Sequence, residues 1–285
     1  MAKSAWKSFP YPAADYDVPA NALQKRWPRL HQGDREPFPT AASVKKLIAA
    51  HPCLEPEMPV DQAAETVQSA WRAYHRGDFG RAVELGVSVG LLGANVANKA
   101  ANIYATYLAT GEKSKTGIFL ESAKRAEALQ ACDASNANGW YLHAQALGRY
   151  SQEISVVQAL AEGLGSKIKA SLERAITLEP HHADAHIALG AYHAEVIDKM
   201  GVLIGGLTYG ARRDQGVKHF EAALRINPHC AIARIEYANG LLMMFGHSKA
   251  AQAKHLYAEA AKCDPADAME RLDVERARSL LRTQD

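Results

Sequence analysis

Apolar residues beyond about residue 60 recur at the three- and four-residue intervals of amphipathic helices, and this spacing predicts an all-α chain. The clearest stretch runs from Pro180 to Pro265 and holds two near-copies of one pattern. The copies read His186-x-x-Leu189-Gly190-x-x-His193, Gly216-x-x-x-Phe220, Pro228, and Arg234-x-x-Tyr237-Ala238-x-x-Leu241, Ala253-x-x-x-Tyr257, Pro265. Each copy predicts a helix, a turn, a second helix and a proline stop.

This alternation of large and small residues resembles the tetratricopeptide repeat (TPR), a helix hairpin of about 34 residues. Weaker copies occur around Gly77-Asp78-Phe79, across residues 97–132 with a charged turn predicted at Gly111–Gly117, and from Trp140-x-x-His143-Ala144-x-x-Leu147 to Pro180. One such repeat cannot bury its apolar face alone, so neighbouring repeats must stack. The resemblance implies a TPR-like right-handed helical solenoid of about five helix hairpins.

Proline usage divides the chain into three parts. Nine of the twelve prolines precede residue 60, and the other three stand at repeat ends. We therefore predict a proline- and aromatic-rich N-terminal arm over residues 1–60, a repeat domain over 61–265 and a capping helix over 266–285. Short helical patches are predicted in the arm at Ala20–Trp27 and Thr40–Ala50. The arm is expected to lie along its own repeats or to reach a neighbouring subunit.

Two apolar, glycine-bearing insertions break the repeat period. Ser151–Gly165 and Met200–Arg213 each fall between the two helices of a repeat, which predicts that stacking brings them side by side. Apolar turns of this kind need to be covered by each other, by a ligand or by another subunit. The candidate surface residues are Val156, Leu160, Leu164, Val202, Leu203, Ile204, Leu207 and Tyr209.

First helices of TPR hairpins build the concave binding surface of this repeat class. The residues predicted to face that groove by helical spacing are Tyr141, Gln145, Arg149, Asp184, Ile187, Ala191, Glu195, Ile235, Asn239 and Leu242. Asn239 stands where some TPR co-chaperones clamp a peptide carboxylate. Ala191 holds the matching position one repeat earlier and no lysine follows, so the clamp pattern is incomplete. An ordinary groove wall and a binding role both remain open.

Three histidines share one predicted helix face. His182, His186 and His193 fall within about 40° of one another around an ideal helix, and three imidazoles can ligate zinc. His186 and His193 also occupy the two bulky packing positions of the repeat pattern. Packed, hydrogen-bonded histidines are therefore favoured over a metal site.

Composition excludes several classes of function. A net charge of +2 gives no electrostatic footprint for nucleic acid or an anionic membrane, and no run of residues is apolar enough to span a bilayer. The signatures GxGxxG, GxxxxGK[ST], GxSxG and HExxH do not occur, so neither an enzyme nor a cofactor is predicted. The start MAKSAWKSFPYP lacks the apolar core of a signal peptide, and the four cysteines resemble reduced thiols, which together predict a cytoplasmic protein.

A narrower resemblance covers about residues 135–265. The segments Gly205–Asp214, His219–Leu224 and Ile235–Leu241 are similar to TPR-type T-components associated with bacterial TRAP transporters. That resemblance implies a bacterial helical protein with insertions inside its repeats. It also implies a homo-oligomer whose cleft suits small ligands and a substrate-binding partner. T-components are typically exported lipoproteins, whereas this sequence shows no lipobox cysteine.

Three functional hypotheses follow. The first is a non-enzymatic scaffold or protein-interaction protein that self-associates and binds a protein or peptide partner. The second is a small-molecule binding module whose insertions line an apolar cavity. The third is a metal-dependent enzyme, which requires His182, His186 and His193 to hold a metal ion.

Overall fold

The structure, a computed structural model, describes residues 6–282; the first five residues of the arm and the last three of the capping segment lie outside it. No strand occurs within residues 6–282, so the predicted all-α fold class is confirmed. The helices are α1 Ala20–Leu30, α2 Ala41–Ala50, α3 Val60–Arg76, α4 Phe79–Ser88, α5 Ala94–Tyr107, α6 Glu112–Cys132, α7 Ala137–Gln152, α8 Val156–Ala161, α9 Leu164–Leu178, α10 Ala183–Tyr209, α11 Arg213–Ile226, α12 Ala231–Phe245, α13 Ala250–Ala260 and α14 Ala268–Arg282.

These helices form two compact units. The first comprises residues up to 30, residues 36–153 and residues 267–269; there α3 packs on α4, α5 on α6, and α7 on α6. The second comprises residues 31–35, residues 154–266 and the chain from residue 270; there α10 packs on α9, α11 and α12, and α12 on α13. The antiparallel neighbour packing within each unit is what stacked helix hairpins require.

The turn between α3 and α4 shows how sequence fixes a hairpin. Gly77 ends α3 in the left-handed region at φ 91°, where a side chain is unfavourable. Asp78 then caps α4, because its carboxylate accepts a hydrogen bond from the Arg81 N–H at 3.3 Å. Phe79 follows and is buried. The Gly-Asp-Phe signature therefore encodes the helix stop, the helix start and the first core residue.

Phe220 is the centre of packing in the second unit. Its fully buried ring stacks on Tyr237 with 5.1 Å between ring centroids. Gly190 and Gly240 face this ring, and a Cβ added to either would lie under 3 Å from it. Gly190, the small position of its repeat copy, and Gly240 of α12 therefore need to be small because a phenylalanine ring lies against their backbones.

The described part of the N-terminal arm, apart from residues 31–35, packs within the first unit. Trp27 is 5% exposed and meets Trp71 of α3 edge to face, with 5.8 Å between ring centroids. Its indole N–H donates to the Glu36 carbonyl at 2.6 Å. Helix α1 runs past the predicted end at Trp27 and includes Pro28 in its last turn, which removes only one backbone donor.

The prediction of four reduced thiols is wrong for Cys53 and Cys132. These two residues form a disulfide with their Cα atoms 5.9 Å apart, whereas Cys230 and Cys263 are not disulfide-bonded. The bond joins the short 3₁₀ turn after α2 to the last residue of α6, across a sequence separation of 79 residues. Sequence spacing alone cannot report such a pair, because the two cysteines meet only in the folded unit.

The charged segment Gly111–Gly117, predicted as a turn, is also corrected. Only Gly111 breaks the chain, at φ 86°, and α6 begins at Glu112. The following charged and hydroxyl residues tolerate a helix, and Lys115 pairs with Glu153 at 3.2 Å. Across residues 6–282, no helix combines the length and the apolar character needed to cross a bilayer.

Candidate functional site

Glycines shape the Met200–Arg213 insertion, most of which forms the last part of α10. Helix α10 continues through the insertion, but Gly201 interrupts it with φ 76° and ψ 162°. A Cβ at Gly201 would meet nothing within 4 Å, so backbone conformation and not space requires glycine there. Residues 202–209 then resume the helix, and Gly210 ends it in the left-handed region.

The segment after Gly201 carries an unusual set of exposed apolar side chains. Leu203 is 74% exposed and Leu207 is 82% exposed. In the other insertion, short helix α8 buries none of its residues. Seven of the ten exposed large apolar residues within residues 6–282 lie in the two insertions: Val156, Val157, Leu160, Val202, Leu203, Ile204 and Leu207. We call these seven residues the apolar lobe.

The base of the insertions is fixed against α9. Lys169 donates from Nζ to the Tyr209 carbonyl at 3.2 Å, and the Tyr192 hydroxyl donates to the same carbonyl at 3.4 Å. Gly165 lies beneath the Tyr209 ring, where a Cβ would be 3.0 Å from a ring carbon. The two insertions therefore meet at their bases within one unit.

Two of the predicted surface residues, Leu164 and Tyr209, are not part of the apolar lobe. Leu164 is only 2% exposed because it begins α9 and faces the core, and Tyr209 is half-buried in the contacts at the base. Val157, which the sequence analysis did not select, is 77% exposed. Val157 belongs to the same apolar run as Val156 and Leu160, and this run would have identified it as a surface residue of the insertion.

The candidate histidines do not converge on one point. His182 is fully buried and caps α10, where its Nδ1 accepts a hydrogen bond from the Ala185 N–H at 3.1 Å. His193 uses Nδ1 to accept from the Arg212 N–H at 3.3 Å. No group of three or more potential metal ligands was found within residues 6–282. These donor atoms are used to cap a helix and to hold the end of an insertion.

His186 instead pairs with His219 of α11, a residue that the sequence analysis did not select. Their Nδ1 atoms lie 2.8 Å apart, and the His193 ring stacks on His219 at 6.1 Å between centroids. Burial lowers the pKa of His193 and that of His219 to about 4, with nearby positive charges acting in the same direction. Burial is also the main cause that lowers the pKa of His186. The cluster is therefore neutral at pH 7.

The predicted groove residues divide by burial. Tyr141, Ile187 and Ile235 are at most 6% exposed and lie in the core, so they offer no open wall. The partly exposed ones are Gln145, Arg149, Asp184, Ala191, Glu195, Asn239 and Leu242. Their participation in binding stays a prediction.

Two amides of this groove set are held by neighbouring side chains. Gln145 accepts from Asn102 and donates to the Tyr141 hydroxyl, both at 3.0 Å. Asn239 accepts from the Tyr257 hydroxyl at 2.5 Å. Burial, followed by the charge of Glu236, raises the pKa of Tyr257, so this hydroxyl stays a donor at neutral pH. These contacts orient both amides within their own units.

Comparisons with known proteins bear on the fold. No protein-family model matches the chain, and no curated protein matches it. The chain is similar to TTC0263, a thermophilic TPR protein of Thermus thermophilus, with 16% identity and a TM-score of 0.54 over 76% of this chain and 99% of that one. The MamA protein matches at 16% identity and a TM-score of 0.40, over 70% of this chain and 90% of that one. The Thermus structure shows that the fold is of the TPR type.

Proposed function

We propose that this chain is a non-enzymatic, TPR-type interaction protein that self-associates through the apolar lobe. The observation that carries the proposal is the exposure of Leu203 and Leu207, at 74% and 82%. Burying a leucine side chain contributes roughly 1.5–3 kcal/mol, so leaving seven large apolar residues in water is costly. Monomeric proteins rarely expose large apolar patches, and patches of this kind mark interaction surfaces.

A second copy of the lobe is a chemically matched cover for it. An interface around a two-fold axis pairs the same surface on both subunits, so an apolar surface meets an apolar surface without buried unpaired charge. The half-buried Tyr209 and the buried Leu164 lie at the base of the insertions and give this surface a fixed support. We also propose that the partly exposed groove residues of the second unit bind a protein or peptide partner.

Light scattering on the intact chain tests the proposal. We expect an oligomer for the wild type and a lower mass for the double variant Leu203→Glu/Leu207→Glu. Because both side chains are mostly in water, the helical circular dichroism should not change. Leu120→Glu, at an exposed α6 position in the other unit, is the matched control and should keep the wild-type mass. A monomeric wild type, or an unchanged mass for the double variant, overturns self-association through the lobe.

The resemblance to T-components supports a second candidate, a small apolar ligand held by the same insertions. The glycine-bearing, apolar composition of residues 200–213 favours it. Native mass spectrometry of the purified protein tests it, with a co-purifying ligand as the expected result and an empty protein as the contrary one. The cysteines do not favour a cytoplasmic location, because disulfides such as Cys53–Cys132 persist mainly in oxidising compartments.

A further inference from the structure

A pocket of about 630 Å³ lies in the second unit, and none of its lining residues belongs to the apolar lobe or to the predicted groove set. That volume falls within the range of small-molecule sites. Its lining comes from the turn after α1, the segment before α10 with its first residues, and the end of α11. The lining residues are Gln32, Arg35, Pro180, His181, His186, Ala222, Arg225 and Ile226.

The walls of the pocket are fixed by hydrogen bonds. Gln32 donates from Nε2 to the Ile226 carbonyl at 3.0 Å, which ties the turn to the end of α11. The Asp184 N–H donates to the Gly33 carbonyl at 3.1 Å, which ties the same turn to α10. Within the turn, His31 and Asp34 are both 3% exposed and are joined by a 2.9 Å contact. The pocket is therefore formed before any ligand arrives.

Positive charge dominates the lining. None of the eight lining residues is acidic, and neither Arg35 nor Arg225 forms an ion pair within residues 6–282. Carboxylates beside the pocket have partners of their own. Asp34 is paired with His31, and Glu179 accepts from the His181 N–H at 2.9 Å and lies 3.7 Å from the His181 imidazole. The C-terminal end of α11 carries partial negative charge that repels anions. Gln32 donates to one of the carbonyl groups there, that of Ile226.

Arg35 has a backbone conformation that is rare for its residue type. Its φ of 54° makes it the one non-glycine residue with positive φ within residues 6–282. The Arg35 N–H closes the turn on the His31 carbonyl at 2.9 Å. Such a conformation costs of order 1–3 kcal/mol and tends to occur at functional sites. A glycine or asparagine suits this backbone better, so an arginine at this position carries a conformational cost.

We propose that this pocket binds a small organic phosphate, with Arg35 and Arg225 as the guanidinium groups that hold the phosphoryl oxygens. Two guanidinium groups match the charge of a phosphate monoester, about −1.5 to −2 at neutral pH, and their forked N–H groups match its oxygens. Pro180, Ala222 and Ile226 supply an apolar wall for the organic part. The imidazoles of His181 and His186 complete a lining that contains no acidic residue.

Isothermal titration of the full chain with phenyl phosphate, in a low-salt buffer at neutral pH, tests this proposal. We expect saturable binding that is weakened about tenfold or more by Arg225→Gln and by Arg35→Asn. Asparagine tolerates the positive φ at residue 35, so this change removes the charge with little strain. Arg225→Lys should bind with intermediate affinity, since it keeps the charge but loses the fork.

The controls separate the phosphate site from general charge effects. Lys167→Gln removes an exposed charge from the same unit outside the pocket and should leave the affinity unchanged. Benzoate should bind at least tenfold more weakly than phenyl phosphate; equal affinity overturns the assignment to phosphate. Absence of saturable binding by the wild type, or wild-type affinity in the folded Arg35→Asn/Arg225→Gln variant, overturns the site itself.

Discussion

The Nδ1 atoms of His186 and His219 lie 2.8 Å apart, and a second contact fixes which ring donates. Nε2 of His186 lies 3.1 Å from the Pro180 carbonyl, which can only accept, so this nitrogen carries the proton. A neutral His186 then accepts at Nδ1, and His219 donates its Nδ1–H. Protonating either ring places a cation against its neighbour in a half-buried cluster.

Acid should therefore destabilise the second unit. The folded-state pKa values of His193 and His219 are about 4, below the ordinary value of 6.5. Between pH 4 and pH 6.5 the unfolded chain therefore binds more protons than the folded chain. Stability should be fully present above pH 6.5 and fall as the pH drops toward 4. Urea midpoints at pH 7 and pH 5 measure this fall, which His219→Gln should reduce. The control His229→Gln, at an exposed position, should keep the wild-type fall; an equal fall in His219→Gln contradicts the assignment.

Removing the Cys53–Cys132 bond should destabilise the first unit by about 2–5 kcal/mol, because the bond closes a long loop and restricts the unfolded chain. Urea denaturation of Cys53→Ser/Cys132→Ser, compared with wild type in the presence and absence of dithiothreitol, measures the change. The reductant should lower the wild-type midpoint and leave the double variant unaffected. Cys263→Ser, at a cysteine outside the disulfide, is the matched control. A wild type insensitive to reductant argues against the bond.

Gly190→Ala should destabilise the chain by roughly 1–3 kcal/mol, although alanine favours helices. The new methyl group would lie 2.8 Å from a Phe220 ring carbon, and that ring is fully buried. Gly148→Ala on α7 is the control, because a Cβ there meets nothing within 4 Å. It should be neutral or stabilise by up to about 1 kcal/mol. Thermal unfolding of both variants decides, and equal midpoints would show that the ring contact carries no constraint.

Glu36→Ala should loosen the first unit, because the Glu36 carboxylate accepts from Asn95 at 3.0 Å and from Asn138 at 2.6 Å. Asn95 and Asn138 are nearly buried, and removing the acceptor leaves their N–H groups without this bond. We expect a loss of about 1–3 kcal/mol in the free energy of unfolding. Glu57→Ala, at an exposed position between α2 and α3, is the control and should have little effect. Chemical denaturation measures both changes.

The sequence predicted the parts of this structure that are encoded locally. The helix stop at Gly77 and the cap at Asp78 depend only on adjacent residues, and the small residue Gly190 of the repeat pattern lies against Phe220 of the same copy. The all-α hairpin fold followed from these positions. Exposure of the insertions was also foreseeable, since an apolar segment that breaks the repeat period loses its packing partner.

Long-range contacts were the part that the sequence could not supply. Cys53 and Cys132 carry no spacing signal, so their pairing depends on where the arm meets α6. The pocket with Arg35 and Arg225 depends on a turn after α1 docking on elements that lie far away in the sequence. The charged residues of Gly111–Gly117 predict a turn from local pattern alone, whereas in the structure only Gly111 breaks the helix.

The Cys53–Cys132 bond closes the chain between residues 53 and 132 into a covalent loop that contains α3, α4 and α5. A protease cut between residues 53 and 132 would leave both fragments attached, so they would separate on a gel only after reduction.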